Sequence, residues 1–302
     1  MPCRYALVTI LVVFTIIGVV GCGESYKDVP AGELIESGWD DYRLGEFKRA
    51  IRKFETAVSK TPEGSDQHLQ ALYGLATIWN LRRPGEDPEE AARLYHRLID
   101  LSPDHDLAAW SMLALARLKH LVPVGQDPDY EEVRQAYQEV IDRFPFHLAG
   151  EEAFVYKQAT YIQTLEPEDS RRVVEAVEHF IETHPDSGFM STAYSLLANC
   201  YHILDMQEKR LWAVIESLER KEVDPTNPYS DNAWPYWDIA TIAEFEVGDF
   251  TTARKYYQKL IDEYPTDMRK YPCKLALKRM DELETKIRAE LGRETRSSGA
   301  GS

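Results

Sequence analysis

The sequence is short of nearly everything from which an active site is built. It has four cysteines in 302 residues and no CxxC, HExxH, GxSxG or glycine-rich phosphate loop. These absences remove the common zinc, acyl-transfer and nucleotide chemistries from consideration. Positive charge is also scarce. Thirty-five Lys and Arg face 51 Asp and Glu, for a net charge of −16. Such a body repels phosphates, which excludes nucleic acid as a partner and disfavours lying flat on anionic lipid. Sustained alternation of apolar and polar residues is missing, so strands are not expected. The eight histidines are scattered. His179 and His184 flank Glu182, but His184 stands before Pro185 at a helix end, so we read both as surface side chains and expect no metal site. The acidic pairs Glu89-Glu90, Glu131-Glu132 and Glu151-Glu152 sit near helix starts, where the macrodipole favours them without any catalytic role. The sequence therefore predicts no enzyme and no cofactor.

Long hydrophobic runs are limited to one, Tyr5–Val20, 16 residues against the roughly 20 of a membrane span. Arg4 precedes it and Val19-Val20-Gly21-Cys22 ends it. This segment resembles the bacterial lipobox. The resemblance implies cleavage before Cys22 and a covalent lipid on its sulfur, the one attached group we expect. A plain secretory signal or an uncleaved anchor is the alternative. Gly23 stands where enteric bacteria place Asp to retain lipoproteins in the inner membrane, so the resemblance implies the periplasmic face of the outer membrane. Cys200 and Cys273 then remain, 73 residues apart without metal-ligand spacing. Two buried thiols are the expectation, and a disulfide stays open.

What the chain has in quantity is rhythm. Pro62, Pro103, Pro145, Pro185, Pro225 and Pro265 are spaced by 41, 42, 40, 40 and 40 residues. Most close a phrase of one kind: AVSKTP, LIDLSP, VIDRFP, FIETHP, LIDEYP, with RKEVDP degenerate. Each reads as the last turn of an amphipathic helix stopped by proline. A fixed period of this size means one helical unit stacked repeatedly.

Residues 31–62 carry Gly38, Gly45-Glu46-Phe47, Ala50, Phe54, Ala57 and Pro62. In that spacing they resemble a tetratricopeptide repeat, with Asp41 where the family often has Tyr. Gly248-Asp249-Phe250, Ala253, Tyr257, Leu260 and Pro265 repeat the register. Repeats two and three carry longer connections, each ending in an Asp-Pro helix start. Repeats four and five rest on the period. The resemblance implies an all-α, right-handed superhelical solenoid of about six repeats. The expected order is a signal peptide at 1–21, a lipidated tether at 22–30 and a repeat domain at 31–291 whose last helix, 272–291, caps the array. A disordered tail at 292–302 would follow.

The same resemblance places partner contacts on first helices: Trp39, Tyr42 and Arg43 in repeat one, Trp79 in two, Lys119 in three, Asn199 and His202 in five, Asp238 and Glu246 in six. Trp39, Tyr42 and Arg43 fall on adjacent turns. The aromatic stretch 227–237 adds Trp234 and Trp237 as anchors. Core packing is the alternative for each aromatic. As a whole the chain resembles cell-envelope scaffold lipoproteins, the BamD-type subunit of the outer-membrane β-barrel assembly machinery among them. That implies a lipid-anchored adaptor binding envelope proteins or extended peptides. A peptide or cell-wall receptor is the alternative, and a lipoprotein hydrolase a remote one.

Overall fold

The computed structural model describes residues 26–80, 85–222 and 231–299, with side chains to residue 290. The apolar run, Cys22 and Pro225 lie outside the described residues. Within them are thirteen α-helices, one π-helical turn and no strand. The chain divides into two units, Met1–Leu94 and Tyr95–Ser302.

The first unit holds α1 (Ala31–Arg43), α2 (Phe47–Lys60), α3 (Asp66–Asn80) and the start of α4 (Pro88–Leu101). Gly45, at φ +78°, makes the tight turn from α1 to α2. Phe54 is fully buried and wedges between Gly38 on α1 and Gly74 on α3. A Cβ at Gly74 would stand 2.5 Å from that ring. The small residues expected from the repeat pattern thus serve one aromatic. Asp41 is buried between two cations, 2.8 Å from Arg49 and 2.7 Å from Lys53. Part of the expected tether is held down. Lys60 Nζ donates to the carbonyls of Tyr26, Lys27 and Val29 at 2.9, 2.7 and 2.5 Å.

The second unit takes in the end of α4 and then α5 (Asp106–His120), α6 (Tyr130–Arg143), α7 (Leu148–Ile162), α8 (Pro167–Thr183), α9 (Met190–Ile203), α10 (Gln207–Glu219) and α11 (Ala233–Thr241). α11 runs into the π turn Ile242–Val247, and α12 (Phe250–Glu263) and α13 (Lys270–Gly299) follow. Three buried cores succeed one another. Leu113, Tyr137 and Ala153 join α5 to α7; Val177, Leu197 and Ala213 join α7 to α10; Leu211, Ile239, Leu260 and Met280 join α10 to α13. Each core shares a helix with the next, so the unit is a stack of helix pairs in chain order, as in an α-solenoid. Repeats four and five, expected on period alone, are the pairs α7–α8 and α9–α10. Neighbouring first helices touch directly from α5 to α7 and from α7 to α9, whereas α11 rests on α10.

Five marker prolines stand two residues beyond the last residue of α2, α4, α6, α8 and α12. The junctions share a device. Two residues after four of these prolines comes a side chain that accepts from the backbone amide two residues on, in the first turn of the next helix or immediately before it: His105 from Leu107 N, His147 from Ala149 N, Ser187 from Phe189 N and Asp267 from Arg269 N. These satisfy amide groups a helix start leaves unpaired. Two histidines thereby find structural employment. Cys200 and Cys273 are both free thiols, buried in different cores, and burial pushes them up to about 12 and about 11.

One boundary differs from expectation. α13 runs to Gly299, so residues 292–299 are helical rather than a disordered tail. Gly292 costs about 1 kcal/mol in a helix, and with no proline after it the Arg and Glu that follow carry the helix on.

Candidate functional site

α9 is buried on most of its circumference, from Met190 and Ala193 to Cys200 and Tyr201. Thr192, Ser195, Asn199 and His202 are exposed. Their spacing of three and four residues sets them in one stripe about 15 Å long. Ser195 is fixed by Ser217 of α10 at 2.8 Å, so this end of the stripe is ordered by its partner helix.

At the other end, α10 brings in Arg210. Its Nη1 donates to Glu246 Oε2 at 2.5 Å and lies 3.1 Å from His202 Nδ1. An arginine only donates, so His202 accepts there and carries its proton on Nε2, which leaves that N–H for a ligand. Asp238 of α11 belongs to the same field. Burial raises its carboxyl above the usual value, the Arg210 charge opposes that, and Glu246 adds to it. The arrangement offers a hydroxyl and amide stripe ending in two carboxylates around one guanidinium. It suits an extended chain with backbone groups to pair and a positive or donor-rich end. Among the described residues, no group of three or more His, Cys, Asp or Glu is placed to hold a metal ion.

The π turn positions Glu246. It begins where α11 ends, and Gly248 closes it at φ +78°. Buried Glu244 on the same turn accepts from Tyr257 OH at 2.9 Å and from Arg279 Nη2 at 2.6 Å, fixing the turn to α12 and α13.

His202 and Asp238 are therefore brought together, with Asn199 one stripe position away. The other sequence candidates stand elsewhere. Trp39 meets Phe54 edge-on at 5.3 Å and Tyr42 at 5.5 Å, so it packs on repeat one's wedge. Arg43 is exposed and pairs with Asp40. Trp79 is half-buried at the end of α3, its carbonyl accepting from Asp87 N. Lys119 pairs with Glu132 at 2.5 Å beside a cavity of about 480 Å³ that reaches Met112 and Arg143. Trp237 packs edge-on against Tyr257 at 5.7 Å. Trp234 is 63% exposed, with the Arg269 guanidinium 5.4 Å from its ring centre. Arg210 escaped notice because repeat five's second helix lacks the family's signature residues.

Asp238 gives a pH test. Its raised carboxyl disfavours the ionised folded form, so its contribution to stability improves as pH falls through the folded-state value. Asp238→Asn removes that penalty. The variant is expected to melt at or above the parent temperature at pH 7, and the difference should shrink toward pH 4. Thermal melts of both proteins from pH 4 to 8 check this; a difference that widens on acidification contradicts it.

Residues 237–267 match the tetratricopeptide repeat family model. No curated protein sequence matches the chain. Among solved structures, pilF of Pseudomonas aeruginosa is similar at 14% identity and a TM-score of 0.51, over 82% of this chain and 97% of that one. PilW, a widely conserved type IV pilus biogenesis factor, is similar at 14% identity and 0.49, over 79% and 95%. A tetratricopeptide repeat protein from Parabacteroides merdae stands at 18% and 0.48, over 77% and 79%. At 14% identity the likeness to pilF is one of fold alone.

Proposed function

We propose that this array of tetratricopeptide-type helix pairs is a protein-binding scaffold, held by a lipid on Cys22 at a bacterial envelope membrane. In its finer form the reading is an adaptor at the periplasmic face of the outer membrane, serving an assembly complex. The observation that carries the binding role is the exposed stripe Thr192–His202 with Arg210, Glu246 and Asp238 at its end. Partner surfaces of repeat arrays are of this extended kind. The tether supports the anchoring role. Lys60 grips the backbone from Tyr26 onward, so only Gly23–Ser25 separate the gripped segment from Cys22. Four chain steps reach about 14 Å at full extension, which would keep the first unit next to the lipid.

Two arms test the reading in full-length protein. Cys22→Ala is expected to abolish incorporation of labelled palmitate and release the chain from membranes; a labelled, sedimenting variant removes the anchor. A photo-crosslinker at Asn199 is expected to give discrete protein adducts in cells, and one at fully exposed Val124 none. Arg210→Glu should abolish the Asn199 adducts without unfolding the protein. Equal adducts at both positions, or no effect of Arg210→Glu, defeat the binding assignment.

A further inference from the structure

A cavity of about 310 Å³ opens between α6, α7 and α8. Ile141, Phe154 and Phe180 form apolar walls. The rings of Phe154 and Phe180 stack 4.4 Å apart at 8°, and His184 continues the stack at 4.6 Å and 14°. Phe146, 81% exposed, extends this column outward 5.5 Å beyond His184. Both ring nitrogens of His184 are engaged, by Thr183 Oγ1 at 2.8 Å and the Pro145 carbonyl at 3.2 Å. His184 is therefore wall and not donor.

α7 directs Lys157 to the same cavity. It is half-buried, and burial holds its ammonium below the ordinary lysine value. Its Nζ donates to Gln138 Oε1, an uncharged oxygen, and the Gln138 amide in turn donates to Asp142 at 2.6 Å. Glu151, at the cavity edge, already accepts from Ser187 at 2.7 Å. Among the described residues no carboxylate stands within ion-pair distance of Lys157. A partly desolvated cation is thus left without a direct ion pair beside stacked rings; Asp142, one hydrogen bond further on, and Arg134 act on it with opposite sign, and burial still holds it below the ordinary lysine value. Retaining such a charge costs free energy unless something pairs with it.

We infer that this cavity binds an apolar carboxylate, its acid group on Lys157 Nζ and its hydrophobic body against Ile141, Phe154 and Phe180. The volume lies at the low end of ligand cavities, roughly 300–1,000 Å³, and so fits one bulky group with its carboxylate. A small free acid and the last residue of a polypeptide share that chemistry. The site lies apart from the α9 stripe and does not depend on it.

The test uses the full chain in detergent micelles and calorimetric titration. The probes are 3-phenylpropionate, its amide, and an N-acetylated tripeptide ending in phenylalanine with a free or amidated terminus. At least one acid is expected to bind about tenfold more tightly than its amide, as a charge-assisted pair requires. Preference for the tripeptide acid assigns a chain terminus; preference for phenylpropionate assigns a small acid. Lys157→Met should erase the acid preference and leave amide binding intact. Ala176→Trp, which adds bulk to the α8 wall, should abolish both and serves if Lys157→Met does not fold. Without any variant, the Lys157 side-chain resonance should titrate at higher pH in the presence of saturating acid. Acids and amides binding alike, no binding at millimolar concentration, or a preference that survives Lys157→Met overturns the inference.

Discussion

Gly150→Ala is expected to destabilise the second unit by about 3 kcal/mol or more, at or beyond the upper end of ordinary overpacking. A Cβ at this position would stand 2.0 Å from the carbonyl oxygen of Phe144. That oxygen is backbone and has no rotamer to move into. It also accepts from His147 N at 3.2 Å, and Gly150 N donates to His147 O at 2.8 Å, so the whole junction between α6 and α7 is braced. Relief requires α7 to tilt, yet α7 contributes to two of the three cores. A loss of this size lowers Tm by on the order of 10 °C in a unit of about two hundred residues. Gly188→Ala is the control. Nothing lies within 4 Å of its added Cβ, and its effect should be small. Equal melting temperatures for the two variants would show that the junction yields freely.

Asp41→Ala should cost the first unit about 3–5 kcal/mol, the cost of leaving buried charge unmatched. Asp41 is 3% exposed, and the Lys53 side chain is only 10% exposed. Besides Asp41, Lys53 Nζ has the Ser37 carbonyl at 3.2 Å, which cannot neutralise it. Arg49 is more open and would turn to water. The double change Asp41→Leu with Lys53→Met removes both buried charges and is expected to recover most of the loss. Urea unfolding followed by the fluorescence of nearby Trp39 measures both variants. A cost below about 1 kcal/mol for Asp41→Ala is what an exposed pair gives, and would mean that water reaches the site.

The repeat was legible because prolines and small residues act locally. Proline stops a helix wherever it stands, and the wedge of Phe54 needs Gly38 whatever surrounds it. The groups that start the next helix were readable in principle as a polar residue two after Pro103, Pro145, Pro185 and Pro265. Histidine at two of those positions concealed the pattern, since it is seldom read as a cap. The candidate site was legible only in part. Asn199, His202 and Asp238 came from the family register, but their union depends on Arg210, in a helix with little signature of its own. Trp39 and Trp234 look alike in sequence, and packing alone separates them: one has Phe54 to rest on, while the other remains largely in water. The hold of Lys60 on residues 26–29 spans more than thirty positions, and no local pattern announces it.

The π turn has a consequence for how this chain tolerates change in length. An array that must keep its packing can store surplus residues in a connection, as residues 121–129 between α5 and α6 do, or inside a helix by widening one turn. Connections gain and lose residues at small cost. The widened turn does not, because each α-helical residue rotates its successors by about 100°. Deleting one residue from Ile242–Val247 would restore α geometry and swing Glu244 away from Tyr257 and Arg279 or Glu246 away from Arg210. Sequences descended from a common ancestor with this one should vary freely in length across 121–129. Across 242–247 they should hold their length fixed, or else change both sets of partners together.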